Sequence, residues 1–178
     1  MHTPYNNVDR FRCHYHYFPA STPSEWRGYM AHGIEATNLL GTWHLHNWVI
    51  EYSDGRAPTH PYGKDAAGIL IYAPDGNMSA SIAASNRPRL SSESTRKAPA
   101  VEKIAAFESF FCYSGPYSVK DGQVTHKVAL ALNPNFPGSV QARDIEFAGG
   151  HMTLSTRDTI RGATGTTVTR LHKLIWRR

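Results

Sequence analysis

From Thr42 onward, apolar and polar residues alternate with a period of two, the signature of strands with one buried face. The alternation predicts strands at about 42–52, 67–73, 77–84, 115–120, 123–132, 139–147, 151–157 and 166–176. Pro74-Asp75-Gly76-Asn77 marks a tight turn, Lys120-Asp121-Gly122-Gln123 an Asp-Gly hairpin, and Gly149-Gly150 another reversal. Only residues 98 to 113 break the pattern: Val101, Ile104, Ala105, Glu108 and Phe111 repeat at helical spacing, predicting one helix that covers the barrel. Eight consecutive strands with short turns predict an all-β fold, an eight-stranded antiparallel up-and-down β-barrel, because closure removes exposed edges.

The first strand opens with Gly41-Thr42-Trp43, a large indole just inside the element. That position suits a plug at the closed end of a small barrel. At the other end of the chain, Leu174-Ile175-Trp176-Arg177-Arg178 can bring a guanidinium over this indole. An ordinary core Trp at a strand start is the plainer alternative.

Residues 1–38 stand apart as an N-terminal arm, with the barrel at 39–178. Tyr5, Phe11, Tyr15, Tyr17 and Phe18 make the arm too aromatic for a solvated tail, so it is expected to pack on the barrel or to join two copies as a homodimer. Thr22-Pro23-Ser24-Glu25 is a capping box for a short helix carrying Trp26 and Met30 on one face. Ile34 to Leu40 allow another turn of helix over one barrel end.

Composition narrows the function classes. A chain of 178 residues with 40% hydrophobic content can bury a sizeable core. The net charge of +5 is mild, and no Lys/Arg tract reads as a nucleic-acid arm. There is no apolar run of membrane-spanning length and no secretory segment. Cys13 and Cys112 are then expected as free thiols of a cytoplasmic protein.

Here a resemblance enters. Gly41-Thr42-Trp43-x-Leu45, Pro61-Tyr62-Gly63, Gly68-x-Leu70-x-Tyr72, Asp75-Gly76-x-Met78-Ser79-Ala80 and Arg87 stand in a fixed order. Tyr113-Ser114-Gly115-x-Tyr117, Val124-x-His126, Asn133-Pro134, Gln141-x-Arg143 and Leu174-x-Trp176-x-Arg178 continue it. The series resembles the bacterial and fungal lipocalin-like domain family over about residues 39–178. The resemblance implies a calycin-type barrel around a small-molecule cavity and leaves the activity open. By analogy alone, lipocalin-like barrels used as cofactor-free isomerases and cyclases in fungal biosynthesis suggest the same chemistry here.

Strand parity selects the residues that could act in such a cavity. His126 shares a face with Val124, Val128 and Leu130 and is a candidate general acid or base; the alternative is a neutral core histidine. Arg143 shares a face with Gln141, Ile145 and Phe147; it could hold a carboxylate, an enolate or a polarised carbonyl, or form a structural pair with Glu51. His126 and Arg143 fall on consecutive strands and can face one lumen. Tyr117 could donate a proton, and Tyr72 could orient a carbonyl, although most such tyrosines fill core. Asn47 and Glu51 have the parity of Trp43, and with Met78 and Gln141 they complete the expected ligand-binding set.

His44-x-His46 and His14-x-His16 invite a metal reading, but a site needs a third ligand and His44 and His46 have the outward parity, so no metal is expected. No phosphate loop, dinucleotide fingerprint or nucleophile elbow is present, so no cofactor is expected either. The sequence therefore predicts a lipophilic oxygenated small molecule as substrate. It is either isomerised or cyclised by acid/base catalysis, or carried unchanged.

Overall fold

The computed structural model describes residues 34–161 and 165–178. The expected docking of the N-terminal aromatics and the capping-box helix lie outside these residues, as does Cys13. Cys112 is a free thiol.

The described residues form nine strands: β1 (Gly41–Tyr52), β2 (Ala67–Tyr72), β3 (Asn77–Ala83), β4 (Phe110–Lys120), β5 (Gln123–Lys127), β6 (Leu130–Ala131), β7 (Val140–Ala148), β8 (His151–Arg161) and β9 (Thr167–Arg177). They hydrogen-bond in the order β3-β2-β1-β9-β8-β7-β5-β4, and β4 pairs back onto β3. The result is the closed eight-stranded antiparallel barrel that the alternation predicts, with β6 a two-residue addition on β4. Two helices accompany it, α1 (Ala36–Leu39) and α2 (Ala100–Glu108).

Three sequence expectations need correction. The strand expected over 123–132 splits into β5 and β6. Gly115 of β4 lies so close to the carbonyl of Lys127 that an added Cβ would sit 2.0 Å from its oxygen. The chain bends there, and the freed amides of Val128 and Ala129 bond to the Ser139 and Ser114 carbonyls at 3.0 and 2.9 Å.

The helix expected to reach residue 113 ends at Glu108. Phe111 and Tyr113 instead alternate on β4, where the ladder to β3 at Ile82 and Ala80 satisfies the backbone and both rings reach the interior. Nor does α2 bury any residue: Val101, Ile104 and Phe107 are exposed, so it is not a lid. Arg87 holds its C-terminal turn, donating to the Ala106 carbonyl at 3.1 Å.

The third correction lies in β1. Its register against β9 shifts between Leu45 and Asn47, leaving His46 as an extra residue. A single extra residue reverses the alternation. Trp43 and Leu45 point inward before it, and Trp48 and Ile50 take the inward face after it. Glu51 is therefore on the outer face, 2.8 Å from the Lys173 ammonium. Asn47 is turned away as well, its Oδ1 3.1 Å from His60 Nδ1.

One barrel end is stoppered as expected. Trp43 is buried, its Nε1 donates to the Leu39 carbonyl at 2.7 Å, and α1 supplies the fully buried Leu39. The guanidinium over the indole belongs to Arg178, 4.2 Å from the ring centroid.

Candidate functional site

Above this stopper the inner faces of the strands enclose a cavity of about 320 Å³. Its apolar wall includes Leu70, Ile82, Phe111, Leu154, Leu174 and Trp176. The polar side chains on it are Tyr113, His126, Gln141, Arg143, Thr156, Asp158, His172 and the indole of Trp48. Apolar walls with few convergent polar groups are the usual form of a small-ligand site.

β4, β5 and β7 bring the central group together. His126 pairs with Tyr117 on β4 and Gln141 on β7, and Val124 pairs with Arg143. With its neighbours Val124 and Val128 facing in, the 126 side chain has no route outward and is only 1% exposed. Both imidazole nitrogens are bonded to phenols: Nε2 lies 2.8 Å from the Tyr72 hydroxyl and Nδ1 lies 2.7 Å from that of Tyr113. Burial, and secondarily the Arg143 charge, push the His126 pKa down to about 3, so the ring is neutral at neutral pH. Burial pushes the Tyr113 phenol up to about 12, against a lowering by Arg143, and raises Tyr72 well above its ordinary value. All three groups are uncharged near neutrality.

Arg143 lines the same cavity. Its Nη1 donates to the Ala142 carbonyl at 2.8 Å and its Nη2 to Gln141 Oε1 at 3.2 Å. Among the described residues no carboxylate lies within ion-pair distance of it. Glu51, the structural partner that parity suggested, is bound to Lys173 instead.

A second polar group stands on β8 and β9. Arg170 clasps Asp158 through two bonds of 2.7 and 2.5 Å and, with His172, holds its carboxyl below the ordinary range. His172 Nε2 lies 3.5 Å from Asp158 without hydrogen-bond geometry. Burial, partly offset by Asp158, lowers the His172 pKa.

Of the residues read from the sequence, His126, Gln141 and Arg143 meet on the cavity wall. Tyr72 stands one hydrogen bond behind His126. Tyr117 is set further back, its hydroxyl donating to the Ala73 carbonyl at 3.3 Å and its ring edge-on to Tyr72 at 4.7 Å. Met78 is core. Asn47 and Glu51 are not on the cavity wall.

Sequence reading missed Trp48, Tyr113, Asp158 and His172. Tyr113 was hidden inside the overlong helix and Trp48 by the bulge. For β8, extending the alternation past residue 157 would have found Asp158. His172 keeps the parity of Leu174 and Trp176, a usable signal.

The lipocalin-like domain family matches residues 40–178, and the chain belongs to it. A comparison with curated proteins found no match. A lipocalin-like barrel with an enclosed cavity is a small-molecule-binding fold. Among the described residues no helix is long and apolar enough to cross a membrane, and no group of three His, Cys, Asp or Glu side chains is placed to hold a metal.

Proposed function

We propose that the barrel is a cofactor-independent enzyme that isomerises or cyclises a lipophilic, oxygenated small molecule by acid/base chemistry in the cavity. The observation that carries this reading is a guanidinium with no carboxylate partner among the described residues, on the same apolar-walled cavity as Tyr113 and His126, with Tyr72 bonded to the imidazole from behind. Arg143 holds the substrate oxygen on which negative charge gathers when a proton leaves a neighbouring carbon. A low effective dielectric makes that stabilisation larger than in water. His126 does not meet the substrate as a bare base, because phenols occupy both ring nitrogens. The Tyr113 phenol bonded to its Nδ1 makes the exchange: it gives its hydroxyl proton to one substrate atom and takes up the proton that leaves the neighbouring carbon, so no net charge is left on the chain. Tyr72, behind it, fixes the ring. In this reading the enzyme works in the cytoplasm, where the Cys112 thiol stays reduced.

One observation favours the alternative, a non-catalytic carrier. The polar groups are few and neutral apart from Arg143, Asp158 and its partners, as a binding cavity requires. The test is a thermal-shift screen of lipophilic ketones, enones and phenols, with each stabilising compound then incubated with protein and analysed for an isomeric product. Product of unchanged mass, formed about 10²–10³ times more slowly by Arg143→Met, is expected. Recovery of every tight-binding compound unaltered would leave the carrier.

A further inference from the structure

The hydrogen-bond chain can be given a direction. Tyr72 is 1% exposed, and among the described residues its hydroxyl has one partner, His126 Nε2. If Nε2 carried the imidazole proton, Tyr72 would accept it and its own hydrogen would be buried without an acceptor. An unsatisfied buried donor costs about 1–3 kcal/mol. With the proton on Nδ1, Tyr72 donates to Nε2, Nδ1 donates to the Tyr113 oxygen, and no buried hydrogen is stranded. The Tyr113 hydrogen is then left over, on a residue that lines the cavity.

The remaining wall groups point to the same ligand chemistry. A guanidinium has five N–H donors. Among the described residues Arg143 has two intramolecular hydrogen bonds, to Ala142 and Gln141. Among the described residues the buried Nε1 atoms of Trp48 and Trp176 have no hydrogen-bond partner, and both indoles line the cavity. The acceptors, in contrast, are few, and each already receives a guanidinium N–H. Asp158 accepts two hydrogen bonds from Arg170, and Gln141 Oε1 one from Arg143. Only the Thr156 hydroxyl and the His172 ring can serve either way.

We infer that the cavity selects an anion, the carboxylate or enolate of an otherwise apolar molecule, whose oxygens accept from Arg143 and from the Tyr113 hydroxyl. His126 and Tyr72 are positioning residues that turn that hydroxyl toward the ligand. This rests on the cavity being the ligand site, as proposed above, and not on its being catalytic. A neutral ketone leaves the guanidinium uncompensated, and a ligand rich in donors finds few acceptors.

The experiment uses the full chain and a matched pair of probes, 2-naphthoate and methyl 2-naphthoate, titrated by quenching of tryptophan fluorescence. The two share one apolar body and differ in the head group. The acid is expected to bind at least about tenfold more tightly, the effect of one hydrogen bond to a charged group. In Arg143→Met that preference should vanish with the ester's affinity retained. In Arg143→Lys part of it should return. Tyr113→Phe should weaken the acid several-fold and the ester little, and nitrogen-detected NMR should find the His126 proton on Nδ1. Equal affinities, a tighter ester, or a preference that survives Arg143→Met would overturn the assignment. These measurements read binding alone: the anion preference stands or falls whether or not any compound is turned over, and turnover of neutral ketones without such a preference sinks this inference and leaves the enzyme reading.

Discussion

Two arginines stand near tryptophans in this barrel, and they differ in what their surroundings leave open. At the stoppered end Arg178 lies over Trp43, and its Nη2 donates to the carbonyls of Asn38 and Leu40 at 3.0 and 2.8 Å. The indole N–H of Trp43 is satisfied by Leu39. In the cavity, among the described residues, Arg143 has no carboxylate and the N–H groups of Trp48 and Trp176 have no partner. The first arrangement closes on itself and serves folding. The second keeps donors in reserve, at a cost in stability that a bound acceptor would offset.

The largest expected effect lies at the closed end. Trp43→Ala should cost about 3–5 kcal/mol in chemical denaturation, because it empties a packed aromatic site and removes the platform for Arg178. A loss below about 1 kcal/mol would show that the stopper carries no load. Next comes the buried imidazole. Its folded pKa of about 3 is below the ordinary 6.5, so between those values the unfolded chain takes up a proton that the fold excludes. The contribution of His126 is therefore fully present above pH 6.5 and is lost as pH falls toward 3. Its slope is roughly 1 kcal/mol per pH unit. His126→Gln should flatten the stability profile between pH 6 and 4 by about that slope, measured by urea denaturation at several pH values. An unchanged profile would mean that the imidazole is protonated in the fold. The smallest effect belongs to Arg143→Met. It removes a charge without a carboxylate partner, so unfolding free energy should change by less than about 1 kcal/mol. A large loss would make Arg143 a structural arginine like Arg178 and erase the contrast.

Much of the barrel was legible because a strand's face is set by its own residues. Val124, His126 and Val128 share one side of a pleat whatever else the chain does, and Asp121-Gly122, with φ of 51° and 73°, reverses the chain as such a dipeptide does. The same rule misplaced Asn47 and Glu51. A bulge is a contest between two strands, and nothing within β1 announces that β9 will lag by one residue at His46. Residues 110–113 were misread for a related reason. Helical spacing and alternation overlap over four residues, and pairing with β3 decides between them.

By itself, then, the sequence determined the barrel class, the Trp43 plug with a C-terminal arginine, the inward faces of β5 and β7, and the family to which these belong. Local stereochemistry and hydrophobic alternation act within a single element and need no partner. Only the tertiary structure decided that Tyr72 and Tyr113, 41 residues apart in number, would grip the two nitrogens of one imidazole. It alone decided that Glu51 would leave Arg143 for Lys173, and that Trp48 would replace Asn47 on the wall. Those outcomes depend on register and on distances between strands far apart in the chain. The direction of a hydrogen-bond chain, and with it the chemistry a cavity offers, exists only once those strands have met.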